Sequence, residues 1–324
     1  MFLGRYGLLS VLLLCVAGHA AVANAQQYPV KSIRYIVAYA PGGGTDTVAR
    51  VIAQKLTESL GKQVIVDNRP GAAGNIATEL ALKSPPDGYT LLMGNVGPMA
   101  VNPSLYKLPF DPARDLAPVT QIAAAPLLVV VHPSLPVGSL KELIALARRE
   151  PGKMSYSSAG VGSSNHLAGA LFNIEAKVDV VHIPYKGAAP ALTDLIGGQI
   201  QLSFQTLPSV TASVKAGRLK PLAVTSIRRS LLFPEVPTAG EAGLKGYEVS
   251  AWYGMLVPLA TPRDIISRLH DETVKALKLK DVAERLAADG AEPVGSTPEE
   301  FGEFIRRETG KWAKVVKTSG MRAD

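Results

Sequence analysis

Residues 32–60 read SIRYIVAYAPGGGTDTVARVIAQKLTESL. Ile33, Tyr35, Ile36, Val37 and Tyr39 form a nearly continuous β-branched and aromatic run, as a strand buried on both faces requires. Pro41, Gly42, Gly43 and Gly44 then break the chain, and a second periodicity follows. Val48, Val51, Ile52, Leu56 and Leu60 recur at helical spacing and make one apolar stripe. Thr45 or Asp46 is expected to cap the start of this helix, and Gly61 stands where a left-handed glycine would end it. Strand, glycine turn and helix start together expose unpaired backbone N–H groups at the positive end of a helix dipole, which is a seat for an anion.

The loop is not a phosphate loop of a better-known kind. No Gly-Lys-Ser/Thr follows it, and its glycine spacing is not the dinucleotide fingerprint. No Lys or Arg lies between Tyr35 and Val48. A small oxyanion such as a carboxylate therefore fits better than a polyphosphate; the alternative is a tight turn with no ligand.

Composition narrows the remaining classes. The chain has 324 residues, and its N-terminus carries Arg5, an apolar stretch through Ala17 and small residues at Ala23-Asn24-Ala25. This is the pattern of a secretory leader, residues 1–25, cleaved before Gln26, and its apolar part is too short to span a bilayer. Cys15, the single cysteine, lies inside it. The exported chain then has no disulfide, thiolate chemistry or cysteine–zinc site and must rest on an ordinary core. Losing Arg5 lowers the net charge from +7 to +6. Basic residues are scattered without an aromatic-interleaved block, which argues against nucleic acid and gives only a mild bias toward anionic ligands.

Onward from the first unit, strands are expected at Gln63–Asp67 and Thr90–Gly94, with a helix over about Asn75–Lys83. Strands alternating with helices argue for a parallel α/β sheet. A second series begins near Ile122, with strands at Leu127–His132, Met154–Ser158, Asp179–Tyr185, Gln199–Thr206 and Leu219–Ser226. Within it Ala159-Gly160-Val161-Gly162-Ser163-Ser164 repeats the device of strand, small-residue loop and helix start. A strand at Glu248–Val257 and three helices complete the chain, the last opened by a capping box at Thr297–Glu300. The expected organisation is two α/β lobes, each a mostly parallel sheet flanked by helices. Residues 26–125 and 225–324 make the first lobe, and 126–224 make an inserted second. Strands near 122–130 and 219–226 cross between them, so that a cleft can close on a ligand.

Several stretches together carry a resemblance: Tyr28-Pro29-Val30-Lys31, the loop Pro41–Asp46, VIVDNRPG at Val64–Gly71, Pro86–Thr90, Ser157–Gly160, Gly162-Ser163, His166–Gly169, Pro184–Gly187, Val214–Gly217 and Lys311-Trp312. In order and spacing, over the whole exported chain, they resemble the substrate-binding receptors of tripartite tricarboxylate transporters, the Bug family. The resemblance implies a periplasmic receptor of the Venus-flytrap type. Such a receptor passes a small carboxylate to a membrane permease of one large and one small subunit, and needs no cofactor or metal. It also implies that the carboxylate is held largely by main-chain N–H groups and water, from Pro41–Asp46 and from Ser158–Ser164. Many members have aspartate after the phenylalanine matching Phe204; here Gln205 stands there, which weakens the case for an amino-acid ligand and favours a non-aminated acid.

The candidate binding residues are Pro41, Gly42, Gly43, Gly44, Thr45, Asp46, Asn95, Ser158, Ala159, Gly160, Ser163, Ser164, His166, Tyr185 and Gln205. Ser163 and Ser164 either donate to a carboxylate or cap the helix. His166 is a strut or a contact, and Tyr185 bridges lobes or packs internally. Asn95, after the third strand, reaches the same sheet edge as Gly42. His132 and His182 read as structural, and Trp252 and Trp312 as core. Ser163 and His166 stand at i and i+3 without a Gly-x-Ser-x-Gly elbow, a poor basis for a hydrolase. A monomeric solute receptor without catalytic residues is expected, with a ligand-sensing subunit of a membrane kinase, then a secreted hydrolase, as rivals.

Overall fold

The structure, a computed structural model, describes residues 28–185, 187–288 and 290–323. The expected leader, residues 1–25, lies outside the described residues. No helix among those described is long and apolar enough to cross a membrane.

The opening unit forms as its sequence dictates. Strand β1 (Ile33–Val37) has four of its five side chains fully buried. Helix α1 (Gly44–Leu60) turns Val48, Ile52, Leu56 and Leu60 inward and ends on Gly61 in the left-handed region, whose N–H returns to the Thr57 carbonyl. Its other end departs from expectation. The N-cap is Gly43, in an extended conformation, and no side chain caps it; Thr45 and Asp46 lie inside the first turn.

β1 pairs in parallel with β2 (Val64–Asn68) on one side and β3 (Thr90–Asn95) on the other. Next comes a single 16-residue strand, β4 (Leu116–Val131), whose residues 116–121 the pattern leaves unassigned. Pro118 and Pro126 interrupt the apolar run, and the ladder shifts register beside Pro118, so the strand does not read as one piece.

β4 belongs to both parts of the sheet. From Leu116 to Pro126 it pairs antiparallel with β9 (Ser250–Pro258), which also lies antiparallel to β3. From Leu127 onward it pairs with β7 (Leu202–Thr206), and from Leu128 onward with β8 (Lys220–Val224). β5 (Ser155–Ser158) then runs parallel between β7 and β6 (Val181–Pro184). The sheet is thus mixed. Parallel triplets β2-β1-β3 and β6-β5-β7 form its two ends, and the expected parallel character is confined to them.

β8 does not cross back as expected; it ends at Val224 beside β4. Thr225 makes the connection. Its N–H and hydroxyl bond to Leu127, and its backbone and side chain bond to Val249, one residue before β9. The closing helix α2 (Pro298–Ser319) has the predicted box of Thr297 and Glu300 and buries Phe301, Ile305 and Trp312. Phe301 and Phe304 meet Trp252 edge-on, so both tryptophans are core.

Candidate functional site

Three parallel strands deliver their carboxyl ends to one edge, where ligands of α/β sheets bind. After β1 come Tyr39, Ala40 and Pro41, and then the glycine turn. Pro41 and Gly42 are exposed, Gly43 and Gly44 half-buried, Thr45 and Asp46 buried. The N–H groups of Gly44, Thr45 and Asp46 have no intrahelical acceptor, because the first helical bond runs from Thr47 to the Gly43 carbonyl. A Cβ built on Gly42 or Gly43 meets nothing within 4 Å, so space opens beside these donors. Gly42, at φ +89°, needs to be glycine to turn the chain there.

A carboxylate inside an anion seat would repel the anion unless its charge were absorbed, and here it is. Asp46 accepts from the Gly42 N–H at 3.0 Å, from Arg50 at 2.9 Å and from Asn68 at 2.9 Å. Burial alone would raise its pKa, yet Arg50, Gly42 and Asn68 together hold the carboxyl below its usual value. The Asn68 amide also donates to the Tyr39 carbonyl, which fixes the loop to the end of β2. Asp46 is therefore a brace of the turn, and the bare amides beside it keep their positive field.

Asn95, at the end of β3, donates to the Thr45 hydroxyl at 3.3 Å and accepts from the Tyr39 hydroxyl at 3.4 Å. It holds the first turn from below. Tyr253, paired with Asn95 across the β3–β9 ladder, adds a second support. A Cβ on Gly44 would lie 2.5 Å from its hydroxyl.

The loop after β5 is built differently. Ser163 caps helix α3 (Ser164–Ala176) by accepting from the His166 N–H, while Ser164 begins the helix. Ser158 is fully buried; its hydroxyl pairs with His182 Nε2 at 2.6 Å and accepts from the Gly160 N–H at 3.1 Å. His166 Nδ1 accepts from the Gly162 N–H at 3.1 Å, which places any proton of the neutral ring on Nε2. The His166 and His182 rings stack at 3.7 Å, 5° from parallel. Burial, with the neighbouring His182 second, lowers the His166 pKa to about 3, so the ring is neutral near pH 7. Ala159 is half-buried, and Gly160, at φ +125°, has Tyr185's carbonyl 3.3 Å from a built Cβ.

Tyr185 and Gln205 have internal partners. The Tyr185 hydroxyl donates to Asp194 at 2.7 Å within the same half of the sheet, and burial, with that partner second, raises its pKa to about 12. Gln205 is fully buried; its amide donates to Ser203, and its carbonyl accepts from Asn165 and Ser209.

The two loops converge. A Cβ on Gly97 would lie 2.9 Å from the Tyr39 hydroxyl and 3.2 Å from the Gly162 carbonyl. The segment Gly97–Val101 is a short π-helix, and Gly162 lies over its end against Val101, Asn102 and Leu105. Asn102 gives its amide to Ala73 and Asn75, while its buried Oδ1 has no hydrogen-bond partner.

Sequence reasoning missed Tyr39, Asn68, Arg50 and Tyr253. Asp46 and Arg50 stand at i and i+4, and Asn68 ends a parallel strand, so both were within reach of pattern rules. His182 read as structural; its bond to Ser158 gives it a share in ordering the second loop.

Comparison with known proteins agrees with this geometry. The family model described as tripartite tricarboxylate transporter family receptor matches residues 48–321. Protein BugT of Bordetella pertussis is 40% identical over 313 residues, 96% of each chain. Among solved structures, R. palustris Rpa4515 with adipate is 38% identical at a TM-score of 0.86, over 91% of this chain and 99% of that one. MatC from Rhodopseudomonas palustris with bound malate is 31% identical at a TM-score of 0.82, over 89% and 100%. A match over nearly the whole chain, on a two-part sheet whose glycine loops meet, leaves one assignment: the chain belongs to the tripartite tricarboxylate transporter family of receptors.

Proposed function

We propose that the chain is an exported, extracytoplasmic receptor, without catalytic activity, that binds a small organic acid between two lobes and delivers it to a membrane permease of one large and one small subunit. Residues 126–224 form the inserted lobe, and residues 26–125 with 225–324 form the other. The change of β4's partners between Pro126 and Leu127 supports that boundary. The acid's carboxylate seats on the N–H groups of Gly43, Gly44, Thr45 and Asp46, and the loop Ser158–Ser164 covers it.

The observation that carries this reading is the uncapped start of α1, with open space at Gly42 and Gly43 and Asp46 already neutralised by Arg50. Relatives solved with adipate and with malate support a carboxylate as the ligand class. Amide donors carry no formal charge and hold an anion without a counterion, so acids of different length can share one seat.

Calorimetry with acetate, succinate, adipate and malate tests it, alongside Gly43→Leu. Gly43 has φ −84° and open space at its Cβ, so leucine fits the backbone while filling the seat. At least a hundredfold loss of affinity with an unchanged melting temperature is expected. Unchanged affinity in the variant removes the loop from the site, and no binding of any acid by the wild type removes the carboxylate reading.

A further inference from the structure

Asn102 is wholly buried, and the two ends of its amide fare differently. Nδ2 lies between two acceptors, donating to the Ala73 carbonyl at 3.0 Å and to Asn75 Oδ1 at 2.7 Å. A backbone carbonyl only accepts, so the amide cannot be turned round, and Oδ1 must face the other way. That way leads to the second loop. A Cβ built on Gly162 would lie 3.3 Å from Oδ1, beside Leu105 and Val101. Oδ1 is sealed from solvent and has no hydrogen-bond partner among the described residues. The loop above it has already committed its nearest donors. The Gly162 N–H goes to His166 Nδ1 at 3.1 Å, and the Ser163 N–H goes to the Gly160 carbonyl at 3.2 Å. The methylene of Gly162 is left to face the oxygen, and a C–H donor is about half as strong as an N–H. Native folds rarely leave a buried acceptor so poorly served.

The oxygen and the loop that covers it belong to different parts of the chain. Asn102, Ala73 and Asn75 lie in the first of the proposed lobes, and Gly162 lies in the inserted one. We infer that Asn102 is a brake on closure: the second loop settles on the first lobe only by stripping water from Oδ1 without replacing it, so the closed form is held back until a ligand offsets that cost. This rests on the receptor reading and adds a control on its opening equilibrium. The cost falls on closure alone, because both Nδ2 bonds stay within one lobe and are the same open or closed. An acceptor left unsatisfied on burial shifts an equilibrium about tenfold. The ligand seats beneath the cover, so the same factor enters the apparent affinity for every acid.

Calorimetry with acetate, succinate, adipate and malate tests the brake, with ligand-free melting temperatures beside it. Asn102→Val removes Oδ1 and stops one atom short of its position. Asn102→Ser, the milder change, also removes it and keeps a hydroxyl that can donate to Ala73 or Asn75. Both are expected to bind each acid that the wild type binds about tenfold more tightly, by the same factor for all, although both melt lower. A residue that merely held the turn at Ala73 would give the opposite, with affinity falling alongside stability. Asn75→Ala is the control. It removes one of the same bonds and keeps Oδ1, so it should melt lower with affinity within about threefold of the wild type. Asn102→Ser binding no more tightly than the wild type overturns this inference alone. So does a gain confined to one acid, which would make Asn102 a ligand contact, or an equal gain in Asn75→Ala. Failure of the wild type to bind any acid overturns the receptor reading, and this inference with it.

Discussion

The two glycine loops arise from the same local sequence logic, yet they differ in what they leave unsatisfied. At α1 no side chain caps the helix, and the one nearby acid turns back to brace Gly42, Arg50 and Asn68. At α3, Ser163 caps the helix, Ser158 takes the Gly160 N–H, and His166 takes the Gly162 N–H. The first loop keeps its donors for a guest, whereas the second spends many of its own on staying in shape. Approximate symmetry of fold therefore does not make the two ends equivalent anion sites. In the function proposed above, the first is the seat and the second a preformed cover.

The largest expected effect falls on the cover. His166 has a pKa of about 3 in the folded chain against an ordinary 6.5, so the fold favours its neutral form. Above pH 6.5 both states are neutral and its contribution to stability is complete. As pH falls from 6.5 toward 3 the unfolded chain takes up a proton that the folded chain refuses, and stability drops. The upper bound is about 4–5 kcal/mol from this group. The ring faces His182 and Tyr156, and the charge interaction on it comes from His182, which adds to the lowering. Denaturant titrations at pH 7.5 and pH 4.5, on the wild type and His166→Gln, check this. Equal pH sensitivity in the two would assign the effect to other groups.

In the seat, Asp46→Ala leaves the Gly42 N–H and the Asn68 amide each short of a partner. A loss of about 2 kcal/mol in stability is expected, with weaker carboxylate binding because the turn loosens. Chemical denaturation paired with calorimetry separates the two. Tighter binding in the variant would mean that Asp46 repels the ligand despite Arg50.

How much of this was legible can be judged at particular residues. Strand β1, the α1 stripe and the final capping box each rest on contacts close in sequence, and their pattern reads directly. The role of Asp46 did not: cap and brace use the same residue, and the choice depends on Asn68 arriving from β2. Tyr253 was beyond reach, since nothing local reveals that β9 runs between β3 and β4. Of the two expected crossing strands, β4 does cross, whereas the one at 219–226 does not, for a related reason. Prolines broke the pattern of β4, and the stitch from Leu127 through Thr225 to Val249 spans three distant segments. Local rules find the loops, while their placement against each other is tertiary.

That placement is itself open to a milder test. Gly97 stands between the Tyr39 hydroxyl and the Gly162 carbonyl, so Gly97→Ala pushes the loops apart by the few tenths of an ångström that the contact lacks. A roughly tenfold weaker affinity is expected from calorimetry, about 1.4 kcal/mol, with little change in melting temperature. No change would mean that the loops need not approach this closely to hold a ligand.

The smallest effect separates seat from cover most cleanly. Ser163→Ala removes the cap of α3, and a lost serine cap costs about 1 kcal/mol of stability. If the second loop is only the cover, affinity should move less than threefold while the unfolding midpoint falls. Gly43→Leu predicts the reverse: affinity gone, midpoint kept. The two variants thus form a crossed pair, each disabling one property of one loop. If Ser163→Ala instead lowers affinity as far as Gly43→Leu does, the Ser163 hydroxyl is a ligand contact, and the second loop shares the seat as well as covering it.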